Sequence, residues 1–365
     1  MRVLVIETTL YGYDGITSVI TNYYMYQDHR RVQMDLVTIN SISESFKAEL
    51  DKNNSKNYVL PYRNQNPVKY LVHLMRIIRN GNYQIVHTHG CSATMAVEML
   101  AAKIMGVKVR ISHSHNITCD HKKIDKLLRP IFDICCNVRF ACGKEAGKWL
   151  FGSKKFYIIS NGIDVEKYQY NEEVRKEMRI KYGLESYFVI GHVGRFSVQK
   201  NHEKLIDIFE KISVRYSNTK LVLIGDGELK SKIEESTKAR NLNVHFVGNS
   251  DEVNKWLQAI DMIIFPSLFE GLPLGLVEAQ AAGLPCILSN VISADIKITD
   301  LVEFVDIEGS PDKWVEVVSR NRDKYNRSVR VDTVKEQICQ AHFDIRTNCK
   351  DLANKYEELL MIQGR

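Results

Sequence analysis

Twice along a chain of 365 residues, short β-branched runs alternate with segments of helical spacing or helix-forming composition, and no other feature restricts the fold as much. In the first half the runs are VLVI from residue 3, MDLVTI from 34, NYVL from 57, QIVHTH from 84, VRISHSH from 109, VRFAC from 138 and YIIS from 157. Pieces such as NPVKYLVHLMRIIRN and MAVEMLAAKIMG lie between them. Such alternation calls for a parallel sheet with helices on both faces. The pattern then restarts, with YFVIGHVG at 187, KLVLIGDG at 220, VHFVG at 244, MIIFPS at 262 and PCILS at 285. A polar stretch with a turn at Asn161-Gly162 separates the two series. A single core stops growing at roughly 250 to 300 residues, so a second domain is expected here.

The expectation is an α/β protein of two facing Rossmann-like domains with a deep cleft between them. The first covers residues 1–165 and the second 166–345. A final helix, 346–365, is expected to pack toward the first domain.

Charge is divided unevenly. Residues 1–165 hold 22 Lys and Arg against 13 Asp and Glu, or +9, which leaves 28 against 31, or −3, for the rest. A basic half suits nucleic acid, an anionic membrane surface or a phosphorylated ligand, and a solvated surface reads the same way. The eight cysteines include no Cys-x-x-Cys pair and fit reduced thiols. The N-terminal MRVLVIETT reaches Glu7 too soon for a signal sequence, and no run approaches the roughly 18 apolar residues of a spanning helix.

Open parallel sheets bind ligands beyond the carboxyl ends of their strands, so the residues just after the strands carry the chemistry. FVIGHVG runs into RFSVQKNHEKL, which places Gly194, Arg195 and Lys200 at a strand end and near the following helix start. Two cations beside a helix N-terminus suit a diphosphate and stabilise it as it departs; taken alone they also read as surface charges. LIGDGE, with Gly225, resembles a phosphate loop loosely and a tight turn equally.

FEGLPLGLVE is more informative. Pro273 suits the first position of a helix that ends before Gly283, with the amides of Gly271, Leu272 and Leu274 at its positive end. Glu270 stands at that opening and Glu278 lies on an otherwise apolar helix. A carboxylate there needs hydrogen-bond donors, and sugar hydroxyls are donors; otherwise Glu270 complements the helix dipole while Glu278 snorkels or meets an Arg. Eight helical residues span about 12 Å, too far for the ~5 Å carboxylate pair of a retaining hydrolase. That separation better suits a ligand with hydroxyls at both ends and phosphates between, which is the form of a nucleotide sugar.

IVHTHG and ISHSHN place His87, His89, His113 and His115 in alternation on two strands. A metal site is one reading, but no acidic or Cys partner stands at ligand spacing.

At this point the sequence resembles the retaining glycosyltransferases of family 4, with the two-domain GT-B fold. The resemblance rests on EGLPLGLVE with AQAAGLP, and extends through GRFSVQKNH, IGDGE, VHFVG and the linker IISNGIDVEKY. It implies that Glu278 binds the donor ribose, that Glu270 and the amides after it contact the transferred sugar, and that Arg195 and Lys200 hold the diphosphate. Gly194 and Gly225 belong to the donor loops, and Phe246 and Val247 lie beside the nucleobase. LYGYDGITSVI matches the loop whose Gly15 amide approaches the diphosphate, although Asp14 replaces the usual first glycine of a Gly-Gly pair. His115 matches the histidine that contacts the reacting end of the sugar, with His89, His113 and Asn116 lining the acceptor side.

HSHN, ACGKEAGKWLFG and NGID look most like the exopolysaccharide and capsule branch. That resemblance implies a cytoplasmic enzyme, peripheral on the inner membrane face, with a UDP-linked donor and a lipid-linked saccharide acceptor at an anionic surface. No nucleic-acid partner and no metal are expected, since the chain has no Asp-x-Asp motif. VKYLVHLMRIIRN has the character of an interfacial helix, and equally of a helix covering the sheet. A nucleotide-sugar epimerase of the same fold and a noncatalytic sugar-nucleotide-binding protein are the alternatives.

Overall fold

The computed structural model describes residues 1–63, 65–119, 121–322, 324 and 326–363. The chain divides into two compact units, residues 1–162 with 345–365, and residues 163–344.

The first unit holds seven strands: β1 (Arg2–Glu7), β2 (Gln33–Thr38), β3 (Asn57–Val59), β4 (Ile85–Gly90), β5 (Val109–Ser114), β6 (Val138–Ala141) and β7 (Tyr157–Ile158). Their order is β3-β2-β1-β4-β5-β6-β7, and every pairing is parallel. The order reverses between β1 and β4, so the loops after these two strands diverge and leave a crevice. Helix Pro67–Gly81, which contains VKYLVHLMRIIRN, turns Tyr70, Leu74 and Ile78 into the core. The four-residue spacing of these side chains makes one face, and that face covers the sheet.

The last helix, Ile345–Gln363, belongs to this unit and packs on helix Gly15–Tyr26. Ile345, Cys349, Leu352, Tyr356 and Leu359 recur at helical spacing and are buried. Arg31 adds a bidentate pair to Glu357, with both distances 2.7 Å.

The second unit holds β8 (Phe188–Val193), β9 (Thr219–Ile224), β10 (Val244–Gly248), β11 (Met262–Phe265), β12 (Cys286–Ser289) and β13 (Val302–Val305). The order is β10-β9-β8-β11-β12-β13, again parallel throughout, with its reversal between β8 and β11. Twelve of the strands coincide with apolar runs in the sequence. The edge strand β13 does not stand out, because its four residues VEFV include Glu303, which pairs with Arg320.

One helix start differs from the sequence reading. Pro273 has ψ 115 and caps helix Leu274–Ala281 from outside, so the helix begins one residue later than its proline suggested. Its end is as read: Gly283, at φ +72, donates to Gln280 O at 2.8 Å while Leu284 N reaches Ala279 O at 3.0 Å. Among the described residues no helix is long and apolar enough to cross a membrane.

Candidate active site

In the second unit the loops after β8, β9 and β10 are locked through their backbones. Gly194 N donates to Ile224 O at 2.9 Å, Phe196 N to Asp226 O at 2.9 Å and Gly225 N to Gly248 O at 2.8 Å. Gly225 has φ +136, and a Cβ there would lie 2.2 Å from Gly194 O. Only glycine permits that approach, so GDG is a site where two strand-end loops cross.

The same crossing positions Lys200. Gly194 leaves room for its stem, since a Cβ at 194 would stand 3.1 Å from Lys200 Cε. Lys200 closes the short 3₁₀ turn Val198–Lys200, and Asn201, at φ +55, turns the chain into helix His202–Arg215. Two further bonds fasten this turn to the segment after β11: Leu268 N donates to Gln199 O at 2.9 Å, and Asn201 Nδ2 donates to Pro266 O at 3.1 Å.

Lys200 and Glu270 meet there. Lys200 Nζ donates to Glu270 Oε1 at 2.7 Å, and Gln199 Nε2 donates to Glu270 Oε2 at 3.1 Å. Both charged side chains are largely buried, and Nζ stands 4.7 Å from the centre of the Phe265 ring. The pair therefore bridges the strands on either side of the switch point. Arg195 is more exposed and its guanidinium binds Glu228 at 3.2 Å, on the loop after β9.

Glu278 is half-buried on helix Leu274–Ala281. Burial raises its carboxyl above the usual range, against a hydrogen bond with Tyr168 and the charge of Lys167. The donor that an apolar helix could not supply thus comes from the linker NGIDVEKY, through Tyr168. Leu272 and Leu274 are buried at the helix start, and Gly271 is part-exposed. Phe246 packs 6.1 Å from Phe196, ring centre to ring centre. The β9–β10 register shifts between Phe246 and Gly248, which leaves Val247 in a bulge with no partner in register.

In the first unit Gly15 opens helix Gly15–Tyr26, and Asp14 caps it by accepting from Thr17 N at 2.8 Å. The carboxylate that seemed misplaced near a phosphate loop is thus bonded to its own helix. Thr17 Oγ1 in turn accepts from Gly12 N at 3.1 Å and donates to Glu7 Oε1 at 2.6 Å. Burial pushes the Glu7 carboxyl up to about 8, so it carries a proton at neutral pH.

The four histidines form an array, His87 and His89 on β4, His113 on β5 and His115 just past its end. His89 Nδ1 and His115 Nε2 share a hydrogen bond at 2.9 Å, His87 Nε2 and His113 Nδ1 one at 3.2 Å, and Tyr356 Oη stands 2.7 Å from His87 Nδ1. Burial pushes His87 and His115 down to about 3 and places His89 and His113 well below the ordinary range, so the rings are neutral. Ring nitrogens of His87, His89 and His113 lie within 4.8 Å of one another, near enough for one cation; both nitrogens of His87 and Nδ1 of His89 and of His113 are engaged within the array and with Tyr356, while His113 Nε2 has no partner among the described residues. Asn116 accepts from Ile117 N at 2.8 Å.

Gln199, Tyr168, Glu228 and Glu7 were not singled out from the sequence. Gln199, Tyr168 and Glu228 lie within quoted motifs, but polarity alone does not reveal which charged group each one meets.

Two all-parallel Rossmann-like units, with charged and polar residues placed past the carboxyl ends of their strands, make up the GT-B fold. The sequence matches Glycosyltransferase Family 4 over residues 13–167 and Glycosyl transferases group 1 over residues 174–320. It is 32% identical over 359 residues to EpsF of Bacillus subtilis (strain 168), itself a glycosyltransferase by assignment only, covering 94% of this chain and 93% of that one. It is 29% identical over 305 residues to the Escherichia coli UDP-Gal:alpha-D-GlcNAc-diphosphoundecaprenol alpha-1,3-galactosyltransferase, covering 74% and 78%. The structure of Anabaena Alr3699/HepE in complex with UDP-glucose superposes with a TM-score of 0.81 at 15% identity, covering 98% of this chain and 100% of that one. The chain belongs to the family 4 glycosyltransferases, and its relatives include a capsular polysaccharide biosynthesis glycosyltransferase.

Proposed function

We propose that this enzyme transfers a hexosyl group from a UDP-sugar to a hydroxyl of a lipid-linked saccharide, with retention at the anomeric carbon and without a divalent metal. The step belongs to exopolysaccharide or capsule assembly at the inner face of the cytoplasmic membrane. One observation carries the reading: the buried Lys200–Glu270 pair, 2.7 Å apart, spans the switch point of the second sheet.

Its two charges answer the two parts of a donor's reacting end, a diphosphate that needs cations and a hexose whose hydroxyls need acceptors. On donor binding, Lys200 turns from Glu270 to the diphosphate. Glu270 Oε1 then accepts from a sugar hydroxyl, while Gln199 keeps Oε2 in place. Arg195 leaves Glu228 for the same diphosphate, and the amides of Gly271, Leu272 and Leu274 add the positive end of their helix. Glu278, steadied by Tyr168, accepts from the ribose, and Phe246 and Val247 lie beside the base. In the first unit the Gly15 amide serves the diphosphate. His115, with its ring held by His89, serves the anomeric end, and His113 and Asn116 line the acceptor side.

The anomeric carbon breaks its bond to the diphosphate oxygen and forms one to the acceptor oxygen on the same face. The acceptor proton passes to the departing phosphate, and UDP leaves. The name of the Escherichia coli relative supports a UDP donor, a lipid-diphosphate acceptor and retention, because it forms an alpha linkage from UDP-galactose, itself an alpha glycoside. The lack of an Asp-x-Asp motif and the buried Lys200 support metal independence.

The test is nucleotide release from a panel of UDP- and GDP-hexoses, with and without a lipid-diphosphate saccharide. Release from a UDP-hexose that requires the acceptor and is lost in Lys200→Ala supports the reading. Release unchanged in Lys200→Ala overturns it.

A further inference from the structure

Helix Lys122–Cys135 in the first unit presents four large apolar side chains to solvent. Ile124 is 47% exposed, Leu127 75%, Ile131 41% and Ile134 67%. At 100° per residue these four positions fall within an arc of about 80°, a single stripe along the helix. The side next to the stripe, from Cys135 through Phe132 to Asp125, is engaged: Phe132 and Cys135 are buried in the core, and buried Asp125 holds both Ala93 N, at 2.6 Å, and Arg129. The helix is therefore anchored in the fold, and its exposed stripe is a fixed feature of the surface.

Cations border the stripe. Lys123 and Lys126 lie on the flank of the stripe away from the core, whereas Lys122, at helical spacing, falls on the far side of the helix. At the far end Lys103 Nζ donates to Ile134 O at 3.3 Å, next to Ile104, which is itself exposed. The acidic groups of this helix are compensated, Asp125 by Arg129 and Asp133 by Lys154, so they do not offset the lysines.

We propose that this stripe docks the enzyme on an anionic lipid bilayer, with Ile124, Leu127, Ile131 and Ile134 entering the interface and Lys123 and Lys126 meeting lipid phosphates. Apolar side chains flanked by lysines match an acyl boundary under anionic headgroups. A second copy of this chain is a poorer occupant, because a two-fold contact through the stripe sets its lysine border against its own copy. Helix Pro67–Gly81, the interfacial candidate in the sequence, has its apolar face in the core instead. The inference gives a physical basis to the lipid-linked acceptor proposed above, but its test needs neither donor nor acceptor.

Co-sedimentation with phosphatidylglycerol vesicles, against phosphatidylcholine vesicles, is measured for the full chain, for Leu127→Ser/Ile131→Ser and for Lys123→Glu/Lys126→Glu. The wild type is expected to bind the anionic vesicles, and each double variant to bind at least about tenfold more weakly with an unchanged melting temperature. Transfer to a water-soluble acceptor stays at the wild-type rate in both variants. Equal binding by all three proteins, or wild-type binding no better to phosphatidylglycerol than to phosphatidylcholine, overturns the proposal. So does a wild-type dimer in solution that Leu127→Ser/Ile131→Ser converts to monomer. Loss of transfer with intact vesicle binding counts against the glycosyl-transfer reading alone.

Discussion

Lys200 and Glu270, 70 residues apart in sequence, hold each other at 2.7 Å inside the second unit. Removing either partner leaves the other charge buried and uncompensated, which costs about 3 to 5 kcal/mol. Glu270→Ala and Lys200→Met are therefore each expected to lose about that much stability in urea melts, while Lys200→Met/Glu270→Leu loses less than the sum. Strict additivity would mean that the pair does not form in solution.

Two glycines are expected to separate a structural role from the binding role proposed for Gly15. Gly225→Ala places a methyl 2.2 Å from Gly194 O at a positive φ and is expected to lower the melting temperature steeply, with little folded protein recovered. Gly15 has nothing within 4 Å of its missing Cβ. Gly15→Ala should keep the wild-type melting temperature and raise KM for the donor, because the methyl then occupies the approach to its amide. A Gly15→Ala enzyme with unaltered KM removes Gly15 from the site.

Glu278 and Tyr168 should act as a unit in donor binding. Glu278→Gln is expected to weaken UDP binding about tenfold, the worth of a charged hydrogen bond. Tyr168→Phe should weaken it less and leave kcat nearly intact. Calorimetric titration with UDP checks both, and tight binding by Glu278→Gln would exclude the ribose role.

The histidines predict acid lability with a definite sign. Burial holds His87 and His115 near 3 and His202 near 4, against an ordinary 6.5. As pH falls below 6.5, the unfolded chain takes up protons that the native rings refuse, so stability declines from there toward pH 4. His202 packs flat on Phe196, and neither ring nitrogen has a partner among the described residues. His202→Leu should therefore gain stability relative to wild type at pH 5 compared with pH 7.5. An identical difference at both values would show that the ring titrates normally.

The strands were readable because a parallel strand covered on both faces must be apolar throughout, as VLVI and MIIF are. The short edge strand VEFV was not, because at an edge Glu303 can reach solvent and Arg320. The candidate residues were legible as a set, since strand ends are where such sheets bind ligands. Their pairings were not. Nothing in local spacing says that Lys200 faces Glu270 or that Glu278 meets Tyr168, because each pairing is fixed by how separate loops or turns come together. The Gly194–Gly225 crossing has the same origin, for a glycine's role depends on the backbone that passes it.

The most direct measurement follows the anomeric proton by NMR while the enzyme turns over a UDP-hexose with a lipid-diphosphate saccharide in the presence of EDTA. The account predicts one UDP released for each glycoside formed, with the alpha configuration of the donor kept in the product. A beta-linked product, or activity that vanishes with EDTA and returns with magnesium, would contradict it.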